Sequence, residues 1–324
     1  MRLKDLHLLP KVRDSFSYLY VEHCRIDREA KAIAVHDAEG KLPVPCANLT
    51  TLMLGPGTSI THAAVQTLSD NGCMVLWTGE QGVRFYAQGL GETRAARHLL
   101  RQAYLCTHES LRLRVVRRLY EMRFAESLEA NLTLQQIRGR EGIRVRESYR
   151  KASSETGIEW SGRAYKRDSW MDTDPVNRAL SSANSCLYGI CHAAIVSAGY
   201  SPALGFIHTG KMLSFVYDIA DLYKVEMTIP LAFRIVAQTG GMNMEGEIRR
   251  SCRDTFHEKR LLQSIIPDIE RALDVIDPAT DSDVPDFDAD EALPGGLWNP
   301  DSSASPGGTN WAEEAEEGGN DVWS

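Results

Sequence analysis

The pentapeptide Gln88-Gly89-Leu90-Gly91-Glu92 divides this chain into two patterns. Upstream of it, short alternating or β-branched runs are bounded by Gly, Pro, Asn and Asp, the pattern of strands. Strands are predicted over 16–23, 32–35, 50–54, 73–77 and 83–87, with a turn at Glu39-Gly40. One helix interrupts them, starting near Ser59 or Thr61 and ending by Asn71-Gly72. Downstream, apolar residues recur at helical spacing. Helices are predicted over 94–124, around 134–151, over 175–198 closed by Gly199, and over 212–224, 230–237 and 247–275, the last with a break at Pro267. The fold class is therefore α+β: a β-rich domain over 1–88, a linker at 89–93, an all-α-helical domain over 94–276, and a tail over 277–324.

The tail sets the formal charge. The chain of 324 residues carries a net charge of −8, but the tail holds 13 of the 44 acidic residues and none of the 36 basic ones. Residues 1–276 are thus net positive, and over 93–151 there are 14 Arg or Lys against 6 Asp or Glu. A basic body suits a polyanionic partner, and the planar arginine fork suits bidentate phosphate contact. The tail, rich in Asp, Glu, Gly, Ser and Pro, is expected to be disordered when free. Its tryptophans at 298, 311 and 323 are isolated aromatics that could dock on a partner.

No early segment has the order of a signal peptide and no uninterrupted apolar run approaches about 18 residues, so a cytoplasmic location and no membrane partner are expected. Seven cysteines, an odd number without a C-x-x-C pair, fit reduced core thiols. Cys186-Leu187-Tyr188-Gly189-Ile190-Cys191-His192 reads as a packed helix, because its spacing is wrong for a zinc knuckle and no second pair exists.

Two segments carry candidate chemistry. In Gly205-Phe206-Ile207-His208-Thr209-Gly210, a histidine sits in a glycine-flanked turn, and the helix that follows places Lys211, Ser214, Asp218, Asp221 and Lys224 on one stripe. Two carboxylates aimed at one point repel unless a cation lies between them, and a hard divalent cation accepts carboxylate and imidazole donors. The same stripe also fits a solvated face on which Asp221 pairs with Lys224. In Arg138-Gly139-Arg140-Glu141-Gly142-Ile143-Arg144, two helix glycines suggest a kink or a close approach. Glu141 there is either a partner of Arg138 or Arg144, or the carboxylate of a site whose arginines hold a polyanion.

The run Leu-x-x-Ile-Arg-Gly-x-Glu-Gly-x-Arg-Val-Arg around Glu141 resembles the CRISPR adaptation integrase family, the catalytic subunit of spacer acquisition. So do Ser185-Cys186-Leu187-Tyr188-Gly189, the stretch from Gly199 through His208 to Asp221, Met53-Leu54-Gly55-Pro56-Gly57-Thr58 and Cys252-Arg253-Asp254. The resemblance covers about residues 5–275 and is greatest to the type I-E branch. It implies an N-terminal β-sandwich, a helical catalytic domain and a homodimer. It also implies a small ferredoxin-like companion protein, assembled with the integrase as a heterohexamer on double-stranded DNA, both the incoming fragment and the CRISPR repeat. It assigns Glu141, His208 and Asp221 to Mg²⁺ or Mn²⁺, with Asp218 as a further catalytic acidic group, and places Arg84, Arg163, Tyr165, Tyr188, Lys211 and Tyr217 near DNA. Arg138 joins these as an arginine of the polyanion reading. The implied activity is metal-dependent insertion of DNA fragments by 3′-hydroxyl attack on repeat-border phosphodiesters. A stand-alone metal-dependent nuclease or junction resolvase, and a non-enzymatic DNA-binding scaffold, are the alternatives. Two features depart from the family pattern: His23 stands where relatives use an aromatic wedge, and the tail does not match.

Overall fold

The computed structural model describes residues 18–276, apart from 31, 47, 48, 90–95, 125, 126, 130, 164–173 and 243, together with 281, 284 and the strands at 297–299 and 302–305. Contacts divide the chain into one unit over 11–284 and a second formed by 1–10 with 285–324.

In the larger unit, two four-stranded sheets come first. One has the order β1 (Tyr18–Val21), β5 (Thr51–Leu54), β7 (Met74–Thr78), β8 (Phe85–Gly89), and only its β7–β8 pair is antiparallel. The other runs β4 (Lys41–Pro45), β3 (Ala32–His36), β2 (Arg25–Glu29), β6 (Ser59–Ile60). Ile26, Ile33 and Val35 from the second sheet share a core with Leu52, Leu54 and Val75 from the first, closed by Ala64 and Leu68 of helix α1 (His62–Asp70).

Because strand side chains alternate between faces, the other face of the first sheet presents Met53, Met74 and Leu76, and these join the core of the helices. Every residue of β5 is consequently buried. Strand β2 escaped the sequence reading because Arg25-Ile26-Asp27-Arg28-Glu29 buries only Ile26; its ladder to β3 holds it, with a Lys41–Glu29 ion pair at 2.6 Å. The predicted helix in this region is confirmed: the Thr61 side chain caps α1 and Asn71 ends it.

The helices centre on α5 (Pro175–Ser197), which packs against α6 (Ser214–Ala220), α7 (Thr228–Thr239), α8 (Met244–Glu258) and α9 (Leu261–Leu273). By length and composition α5 could cross a membrane, but 72% of its apolar window is buried inside the protein, so neighbouring helices cover it. Asp174 caps its N-terminus and Pro175 occupies the first turn, where no backbone N–H is needed. Helix α4 (Leu134–Thr156) lies at the surface and buries only Ile137 and Ala152; a Thr133–Gln136 capping box starts it and Gly157, at φ 71°, ends it.

Three helix boundaries differ from expectation. The predicted helix over 94–124 is two, α2 (Arg97–Thr107) and α3 (Glu109–Phe124), because His108 is extended and its ring turns back onto the Tyr104 carbonyl. The helix over 247–275 breaks at Arg260, which is left-handed at φ 48°, while Pro267 sits inside α9. Burial of Leu262, Ile265 and Ile269 holds that helix together around the bond the proline cannot make. The predicted 212–224 helix contracts to the seven residues of α6 followed by turns.

The predicted fully disordered tail is corrected in one place: Leu297–Asn299 (β9) and Ser302–Ser305 (β10) pair as an antiparallel ladder. The rest of the tail, apart from 281 and 284, lies outside the described residues. Six of the seven cysteines are buried, Cys106 being the exception.

Candidate active site

Helix α5 ends at Ala198, Gly199 turns the chain at φ 80°, and residues 201–213 form a loop before α6. This loop is pinned from two sides. Gln102 of α2, fully buried, accepts from Ser201 N and donates to the carbonyls of Ser201 and Leu204. Arg112 of α3 donates two hydrogen bonds, at 2.8 and 3.1 Å, to the Phe206 carbonyl. From the other side the Asp218 carboxylate accepts the backbone N–H groups of Phe206, Ile207 and His208 at 2.6–3.1 Å. Gly205 lies where no side chain fits: a Cβ there would lie 2.3 Å from the His208 carbonyl oxygen and 2.7 Å from the Ser214 Cβ.

The same Asp218 fixes the His208 ring, whose Nδ1 lies 2.7 Å from Oδ1. An ionised carboxylate only accepts, so the neutral ring carries its proton on Nδ1 and presents the lone pair of Nε2. That nitrogen lies 3.9 Å from Oδ2 of Asp221. Asp218 itself has no solvent exposure and both its oxygens are engaged. It stands behind His208 and fixes the orientation of the ring and of the loop that carries it.

Asp221 and Glu141 come from distant segments and meet at one guanidinium. Arg123, in the last turn of α3, places Nη1 3.7 Å from Glu141 Oε1 and Nη2 3.5 Å from Asp221 Oδ2, and Nη2 donates to the Asp218 carbonyl at 3.3 Å. On the rim, Arg144 forks onto Glu141 at 2.9 and 3.1 Å, and Lys224 Nζ lies 2.5 Å from Asp221 Oδ1. Both local pairings foreseen for these carboxylates are therefore made, and the residues still converge. Burial works to raise the Asp221 pKa, but Lys224, Arg123 and His208 outweigh it and hold the carboxyl below its usual range. Burial likewise opposes charge on Lys224, and Asp221 with Tyr188 more than offsets it, so its pKa rises.

Among the described residues, no group of three or more His, Cys, Asp or Glu side chains is arranged to hold a metal ion as it stands. The donors do suit a hard divalent cation: two carboxylates and an imidazole nitrogen. The 3.9 Å between Nε2 and Oδ2 lies within the roughly 3–4 Å separating two donors that share an ion at about 2.1 Å each. Arg144 and Lys224, each with about a quarter of its side chain exposed, take up the carboxylate oxygens and have solvent to move into.

The family model described as CRISPR associated protein Cas1 matches residues 17–127 and 120–245. The chain belongs to the Cas1 family. A "CRISPR-associated endonuclease Cas1 2" of Thermus thermophilus is 51% identical over 318 residues, 97% of each chain, and the "CRISPR-associated endonuclease Cas1" of Escherichia coli is 41% identical, covering 81% of this chain and 86% of its own. A structure described as "Crystal structure of TtCas1-DNA complex" has 54% identity and a TM-score of 0.77, covering 83% of this chain and 100% of that one. The Thermus likeness reaches into the tail, where the sequence reading found no family match.

In this Cas1-family chain, the residues expected at DNA fall into three groups. Tyr188 and Tyr217 belong to the site: their rings meet edge-on at 5.0 Å, Tyr217 meets His208 at 5.8 Å, and Lys224 lies over Tyr188. Arg84, Arg138 and Lys211 are exposed. The Arg84 backbone abuts α5 at Gly189, where a Cβ would lie 2.6 Å from the Arg84 Cα. Arg163 is tied to the start of α5 through Asn177 and Ser181, and Tyr165 lies outside the described residues. Gly139 and Gly142 make no close approach and their helix is continuous: a Cβ at Gly139 meets nothing within 4 Å. His23 is exposed in a left-handed turn at φ 51°.

The sequence reading missed Arg123, Gln102 and Arg112. For Arg123 a signal existed. Leu111, Val115, Val116, Leu119 and Tyr120 form the buried stripe of α3, and position 123 continues it, so an arginine stands where the helix faces the core.

Proposed function

We propose that this protein is the metal-dependent DNA integrase and endonuclease of CRISPR adaptation, inserting foreign DNA fragments into a repeat array. The observation that carries this reading is that Glu141 and Asp221, from distant segments, meet at one buried guanidinium, with the His208 Nε2 3.9 Å from Asp221. Close relatives named as CRISPR-associated endonucleases, and a relative crystallised with DNA, support it.

Glu141, His208 through Nε2, and Asp221 would hold Mg²⁺ or Mn²⁺. When bound, such an ion polarises a phosphodiester and stabilises the leaving oxygen. Asp218 keeps the Nε2 lone pair of His208 turned to the site. Arg144 and Lys224, displaced from the carboxylates, become available to phosphate. Tyr188 and Tyr217 wall the site beside His208, and Arg84, Arg138 and Lys211 carry phosphate contacts around it. In the proposed reaction the 3′-hydroxyl of the incoming fragment attacks a phosphodiester at the repeat border, and a repeat strand leaves with its 3′-oxygen. One phosphodiester is made for each one broken, so no nucleotide cofactor is needed. Water in place of the hydroxyl gives nicking.

The working assembly is a homodimer that joins a small ferredoxin-like companion as a heterohexamer in the cytoplasm. The test is strand transfer of a labelled fragment into a repeat-bearing plasmid. Asp221→Ala abolishes joining while leaving DNA affinity within a few-fold; joining by that variant would overturn the assignment. Integration that proceeds only with a companion protein separates this reading from a stand-alone nuclease.

A further inference from the structure

We infer that Arg123 is a built-in counter-cation of the active site, balancing the charge of Glu141 and Asp221 whether or not a metal is bound. The inference rests on the metal-site reading above for one arm of its test only.

The charges around the site balance: the carboxylates of Glu141, Asp218 and Asp221 are matched by Arg123, Arg144 and Lys224. The three cations are not equivalent. The side chains of Arg144 and Lys224 are each 23% exposed, whereas that of Arg123 is 3% exposed. The first two can leave for water or phosphate. Arg123 cannot, since Tyr120 lies under its guanidinium at 5.1 Å and the carbonyl of Asp218 accepts from Nη2.

Its approaches to the carboxylates, 3.5 and 3.7 Å, are longer than hydrogen bonds. Arg123 therefore neutralises the pair without occupying the oxygen positions that a smaller ion would use. Its Nε is buried with no hydrogen-bond partner, so it is held there by the charge it meets rather than by a saturated network. The end of α3 adds to this, because helix C-terminal carbonyls favour a cation. A buried arginine serving only to pack would be replaceable by an apolar side chain of similar length. One that balances two part-buried carboxylates is not, unless a carboxylate or its charge goes with it.

The experiment measures melting temperatures of the full chain in EDTA and in Mn²⁺ for wild type, Arg123→Met, Arg123→Lys, Glu141→Gln and the double variant R123M/E141Q. In EDTA, Arg123→Met melts several degrees below wild type, Arg123→Lys recovers most of the loss, and R123M/E141Q is more stable than R123M. That last recovery needs no metal. If the two substitutions add, or if R123K is as unstable as R123M, Arg123 is a packing residue and the inference is overturned. Should R123M alone fail to fold, R123K and R123M/E141Q still decide: folding of both supports the inference, and failure of either overturns it.

The second arm titrates Mn²⁺ by its paramagnetic signal. Mn²⁺ raises the melting temperature of R123M more than that of wild type and binds it at least about threefold more tightly, since a neighbouring positive charge is gone. Equal binding by the two overturns the inference. Failure of wild type to bind Mn²⁺ counts instead against the metal-site reading, which the EDTA arm does not need.

Discussion

The Nδ1 of His208 lies 2.7 Å from the Oδ1 of Asp218, and that same carboxylate accepts three successive backbone N–H groups ending at His208. One buried side chain thus shapes the loop and aims the ring. Asp218→Asn keeps the size but turns an NH₂ group toward donors. It is expected to cost about 2–3 kcal/mol of stability, measured by urea unfolding, and to reduce strand transfer even where the fold survives.

The glycines of the two motifs differ in a measurable way. Gly205→Ala forces a Cβ to 2.3 Å from a backbone oxygen, and should destabilise by roughly 3 kcal/mol or more while displacing His208. Gly139→Ala enters open space on a regular helix, so a gain of about 0.5–1 kcal/mol is expected. Thermal melts of the two variants give opposite signs if the geometry holds.

His192, stacked on Phe85 at 3.8 Å, is pushed by burial from its ordinary value of 6.5 down to about 4. Between those values the unfolded chain binds a proton that the folded one refuses, so this contribution is complete above about pH 6.5 and is lost as pH falls toward 4. Melting temperatures from pH 7 to 4.5 should fall less steeply for His192→Phe than for wild type. Equal slopes would show that His192 is not the group responsible.

Arg138 stands exposed on α4, one turn from Glu141. As a phosphate contact, its replacement by alanine should weaken duplex binding uniformly across sequences and lower the slope of log affinity against log salt by about 1. Fluorescence anisotropy at several salt concentrations reads both. A loss confined to one DNA sequence would mean that it reads bases instead.

Most of the architecture was legible in the sequence. Short β-rich runs bounded by turn residues gave β1, β3, β5, β7 and β8, and cap chemistry at Thr61 and Asn71 matches the ends of α1 in the structure. Strand β2 was illegible because its stability comes from a neighbour's ladder and ion pairs rather than from its own apolar residues. The break at Arg260 was illegible for the opposite reason: Pro267 is the louder local signal, and tertiary burial overrode it.

By itself, then, the sequence determined the division into strands and helices, the basic body behind an acidic tail, and the candidate residues Glu141, His208, Asp218 and Asp221. Those properties are local: they depend on periodicity, turn chemistry and side-chain type. Only the tertiary structure decided that Glu141 and Asp221 both reach Arg123, and that Asp218 faces backward to orient His208. Charge balance in a buried site is a property of distances between segments, and no spacing along a single chain encodes it.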